Sequence, residues 1–118
     1  MKAILLSLMI AMSAALPAAA ENWVDLNEGG RQLVGIDTDS ILTDNNGNYN
    51  FWIMHKDGQI IRQVNATISC EERTIVLLAR KRFNLNGELI QAFSPKNPIV
   101  TNIKLDSNGA TYYRYLCN

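Results

Sequence analysis

Gln63-Val64-Asn65-Ala66-Thr67-Ile68-Ser69-Cys70 alternates polar and apolar residues without a break. An extended strand points successive side chains to opposite faces, so Val64, Ala66, Ile68 and Cys70 share one side and Gln63, Asn65, Thr67 and Ser69 the other. The strand therefore has one buried and one wet face. Cys70 belongs to the buried one. A lone strand cannot bury a face, so the flanking sequence has to supply a sheet and a cover.

Toward the N-terminus, short apolar segments are separated by turn-forming residues. Residues 23–26 and 31–36 flank Asn27-Glu28-Gly29-Gly30 as a first hairpin, and Asp37-Thr38-Asp39-Ser40 is a polar turn. Asn45-Asn46-Gly47-Asn48 carries an Asn-Gly step suited to a hairpin, residues 49–55 form the next strand, and Lys56-Asp57-Gly58-Gln59 turns the chain back toward Cys70. After the charged corner Glu71-Glu72, residues 74–83 read as a further strand. Its first half, Ile75-Val76-Leu77-Leu78, is apolar on both faces and so needs a cover.

The C-terminal segment offers one. Ala110, Tyr113 and Cys117 recur at helical spacing beside Tyr112 and Leu116, and Asp106 or Ser107 can cap a helix starting near Asn108. The expectation is an α+β domain: an antiparallel sheet of about six strands with a C-terminal helix packed on one face through Tyr113.

The chain holds two cysteines, Cys70 and Cys117. They follow an N-terminus with the features of an export signal: Lys2, an apolar run from Ala3 to Ala15, Pro17, and Ala18-Ala19-Ala20 for the peptidase. Residues 1–20 are read as this signal, with cleavage after Ala20 and residues 21–118 as a single domain. Delivery to an oxidising periplasmic or extracellular space and an even cysteine count predict a Cys70–Cys117 disulfide. No cysteine stands at the leader's end to accept a lipid. After cleavage, no stable membrane insertion is expected.

Removing 20 of the 118 residues leaves 98, with ten basic side chains against eleven acidic ones. That balance gives no general attraction to nucleic acid. His55, the single histidine, has no second histidine beside it to complete a catalytic pair or a metal site, and no Gly-x-Ser-x-Gly elbow is present. Asp37, Asp39, Asp44, Asn46 and Asn48 lack the glycine and distal glutamate of a calcium loop and read as turn residues. The sequence therefore predicts no enzyme, no cofactor and no metal.

Gly35-Ile36-Asp37-Thr38-Asp39-Ser40-Ile41, the strand ending in Cys70, the charged strand after it and the tyrosine-bearing end closing on Cys117 resemble the surface-adhesin protein E family of Gram-negative bacteria. The resemblance spans nearly the whole chain after the leader. It implies an antiparallel sheet with a disulfide-held C-terminal helix. It also implies binding of host extracellular-matrix proteins such as vitronectin and laminin. A periplasmic accessory or inhibitor protein with a bacterial partner is the alternative. For an adhesin, the basic groups Arg62, Arg80, Lys81 and Arg82 are the candidate contacts, with Lys81 on the face opposite Arg80 and Arg82.

Overall fold

In a computed structural model of the protein, the structure describes residues 22–26 and 33–118. The expected leader and cleavage point, the expected turn at 27–30 and residues 31–32 lie outside the described residues. Among the described residues, eight strands form one antiparallel sheet: β1 (Trp23–Asp25), β2 (Leu33–Asp37), β3 (Leu42–Thr43), β4 (Asn48–Asp57), β5 (Ile60–Ser69), β6 (Thr74–Asn84), β7 (Leu89–Phe93) and β8 (Val100–Asn102). One helix, α1 (Asn108–Cys117), follows.

Eight strands exceed the about six read from the pattern, because the rows on either side of the centre are each broken in two. β2 and β3 lie along the same edge of β4, separated by a 3-10 turn at Thr38–Ser40. Asp37 builds that break: its buried carboxylate accepts from the backbone N–H groups of Asn22 (2.8 Å) and Asp39 (3.1 Å). β7 and β8 lie along the outer edge of β6, separated by residues 94–99, where Pro95 and Pro98 cannot donate to a ladder. The β3–β4 and β4–β5 hairpins close on glycines in left-handed conformation, Gly47 (φ 79°) and Gly58 (φ 62°), as the Asn-Gly and Asp-Gly steps require.

The alternation before Cys70 is realised: Val64, Ala66 and Ile68 are buried, and with Val34, Ile36, Phe51 and Ile53 they form a core under α1. The residue that α1 drives into this core is Tyr112, 2% exposed, with its ring 5.8 Å from that of Phe51. Tyr113, the residue expected to pack, is partly buried against the same core, so Tyr112 joins it as the deeper of the two. Tyr113 precedes Cys117 by four positions and is drawn to the disulfide, where its hydroxyl donates to the Cys70 carbonyl (2.8 Å). Ser107 is the N-cap; its side chain accepts from the Ala110 N–H.

A ten-residue helix is marginal by itself. Here it is pinned by the Cys70–Cys117 disulfide, which closes a separation of 47 residues, and by Tyr112. Arg73, at φ 57° in the corner after β5, stacks its guanidinium 5.6 Å from the Tyr113 ring and seals the same junction.

The helix does not cover all of the apolar half of β6. Ile75 packs against the core, but Leu77 is 50% exposed, which corrects the expectation that α1 shields the whole segment. The sheet is wider than one short helix can span.

Candidate binding face

A β-bulge in β6 decides which charges meet. Ile75 and Leu77 stand opposite Ile68 and Ala66, on the helix side of the sheet. Beyond them the register skips Leu78, so Asn65 faces Ala79, Val64 faces Arg80 and Arg62 faces Arg82. One extra residue inverts the parity of everything that follows it. Arg80 and Arg82 are thereby turned to the helix side, beside Arg62. Without the bulge they would share the opposite face with Val76.

Arg62, Arg80 and Arg82 line an open recess of about 300 Å³ together with Asp57 and Ile60, at the end of the sheet that α1 leaves bare. Asp57 is the one carboxylate among these lining residues. It stands 3.9 Å from Arg62, with both side chains substantially in solvent, so the pair gains little. Arg62 and Arg82 are direct cross-strand partners, an arrangement that costs stability through like-charge repulsion. Arg80 lies over the Phe93 ring at 5.5 Å, and Arg82 reaches Gln91 Oε1 at 3.4 Å.

Lys81 does not join this cluster. It points to the other face, where its ammonium lies 5.2 Å from the Trp52 ring. That face carries a polar lattice: the Asn50 amide donates to Thr67 Oγ1 (2.9 Å), and the Asn65 amide donates to Asn50 Oδ1 and the Phe51 carbonyl (both 3.0 Å). Of the four basic candidates, the structure brings together three and separates one.

His55 borders the recess as the cross-strand partner of Arg62. Its Nε2 shares a hydrogen bond with the Tyr112 hydroxyl, and the two rings stack with centroids 6.2 Å apart. Burial lowers the imidazole pKa below its ordinary value of 6.5, and the Arg62 charge lowers it further. Burial raises the Tyr112 hydroxyl far above its usual range. Both groups are therefore neutral at physiological pH and join the helix to the sheet.

The Asp44 loop is occupied with its own backbone. Asp44 accepts from the N–H groups of Asn46 (2.8 Å) and Asn48 (3.0 Å) and from the Asn48 amide (2.9 Å), bonds that hold its pKa below the usual value. No group of three or more His, Cys, Asp or Glu side chains suited to a metal occurs among the described residues. Among the same residues no helix is long and apolar enough to cross a membrane.

A second depression, of about 350 Å³, adjoins the recess on the same face. It opens where the outer row is interrupted at residues 94–99, and Val64, Leu77, Phe93, Pro95 and Ile99 line it with Arg80 at its charged end. Sequence reading missed this groove because β7 and β8 were not recognised as strands. The Asn86-Gly87 step ahead of β7 was the available signal, with Gly87 at φ 84°. Comparison of the chain with protein-family models, with curated proteins and with solved structures found no match.

Proposed function

We propose that the chain is an exported, disulfide-stapled binding module that holds acidic segments of a protein partner on its arginine-bearing sheet end, as the protein E adhesins it resembles bind vitronectin and laminin. The observation that carries this reading is the Arg62–Arg82 pair with Arg80 beside it. Like charges placed directly opposite work against folding, and such local violations mark sites kept for function. A carboxylate-bearing partner relieves the repulsion. Arginine supplies the planar fork that pairs carboxylates in two-point fashion. The leader and the disulfide support delivery to an oxidising compartment.

The test is binding of the mature protein to immobilised vitronectin and laminin over a salt series. Saturable binding that weakens steeply with salt is expected, with most of it lost in the Arg80→Glu/Arg82→Glu double variant. Arg82→Glu places an opposite charge across from Arg62, so the single variant should gain about 0.2 to 1 kcal/mol of stability while binding less. Binding indifferent to both salt and charge reversal overturns the reading. Absence of binding to either matrix protein, with capture of an envelope protein through the same arginines, moves the assignment to a periplasmic accessory role.

A further inference from the structure

We propose that the arginine recess and the adjoining groove together form one binding site for a monomeric long-chain carboxylate, with the head group on Arg62, Arg80 and Arg82 and the acyl chain along Leu77, Phe93 and Ile99. Two independent features converge on an amphiphile. The recess concentrates guanidinium groups around a single, partly solvated carboxylate. The groove is apolar, and Arg80 lines both depressions, so charge and apolar surface are continuous. Arg80 is held at this junction by its contact with Phe93.

The groove's lining argues for an alkyl chain over a peptide. An extended peptide carries a donor and an acceptor at nearly every residue and needs partners for them when buried. Apart from Arg80, the groove offers only Asn97 and Thr101 as polar side chains among its described lining residues. An acyl chain requires none. Its volume of about 350 Å³ lies within the range of small-ligand sites. The exposed side chains that an acyl chain would cover are Leu77 (50%), Phe93 (50%) and Ile99 (76%). The site shares its arginines with the proposed matrix-binding face, but the groove belongs to this inference alone.

The experiment is calorimetric titration of the mature, disulfide-intact protein with dodecanoate, octanoate, butyrate and dodecanol, below micelle formation, with amide NMR shifts locating the site. Dodecanoate should bind saturably and move the Leu77, Phe93 and Thr101 amides. Affinity should fall by up to about fourfold for each methylene removed. Dodecanol, lacking the charge, should bind at least about tenfold more weakly, and Arg80→Gln should weaken dodecanoate to a similar extent. Ile99→Asn, at a solvent-facing position, should reduce dodecanoate binding without altering salt-sensitive binding to vitronectin; Lys81→Gln should change neither. Equal affinity for dodecanoate and butyrate overturns the proposal in favour of a simple anion recess, and equal affinity for dodecanol overturns it in favour of an unspecific apolar patch. Binding to anionic phospholipid vesicles without binding of monomeric dodecanoate also overturns it. Failure of every alkyl arm with intact, arginine-dependent vitronectin binding leaves the matrix reading standing alone.

Discussion

The two ends of one sheet face differ in what they ask of the same strands. At one end β4 and β5 place Phe51, Ile53, Ala66 and Ile68 under α1, dry and cross-linked by the disulfide. At the other, β6 and the broken outer row of β7 and β8 leave Leu77, Phe93 and Ile99 in solvent beside three arginines. The helix is too short to reach both. Folding is therefore carried by the first end, and the second can hold residues that would be costly in a core.

This division is tested most severely by truncating one aromatic ring at each end. Phe51 is fully buried, so Phe51→Ala removes its transfer free energy and leaves a cavity, at a cost of about 3 to 5 kcal/mol. Phe93 is half exposed on an outer strand, and Phe93→Ala should cost about 0.5 kcal/mol or slightly more. Chemical denaturation of both variants measures the contrast. Comparable losses would mean that the bare end is part of the cooperative core.

The next effect in size comes from the staple that sets how far the helix reaches. A disulfide closing 47 residues restricts the unfolded chain by up to about 4 kcal/mol in the entropic model, so Cys117→Ser should lower stability by about 2 to 4 kcal/mol. Amide exchange should then rise first in α1 and at Cys70, where Tyr113 and Arg73 complete the junction. If exchange rises equally in β7, the two ends are not independent. Thiol labelling of the unreduced, unfolded wild-type protein should find no free cysteine.

Much of the first end was legible in the sequence, and much of the second was not. The alternation from Gln63 to Cys70 is a local, two-residue period, and the two cysteines left one pairing to consider, so core face and staple could be read directly. The choice between Tyr112 and Tyr113 could not, because adjacent helical positions both lie near the packing side and the tether to Cys70 selects between them. β7 reads Leu-Ile-Gln-Ala-Phe, exposed throughout, so no alternation marks it as a strand. The bulge at Leu78 is a property of the pairing between β5 and β6 rather than of either strand alone. Sequence alternation could separate Lys81 from Arg80 and Arg82, but only the register shows that the two arginines join Arg62.

The smallest expected effect lies on the border between the two ends, at His55. Its imidazole pKa is lowered, first by burial and then by the neighbouring Arg62, so the folded protein resists protonation more than the unfolded chain does. As pH falls below the ordinary value of 6.5, the unfolded state binds the additional proton, and stability is lost progressively down to the lowered folded value. Above 6.5 the full contribution is present. Arg62 stands directly opposite the ring on the neighbouring strand. Urea titrations at pH about 7.5 and about 5.5 should show a lower midpoint in acid with an unchanged slope. His55→Gln can still hydrogen-bond the Tyr112 hydroxyl but does not titrate, so it should flatten the dependence, and Arg62→Gln should shrink it by removing one of its two causes. An unchanged midpoint between the two pH values, or an undiminished difference in His55→Gln, would show that the histidine at the boundary is not coupled to folding.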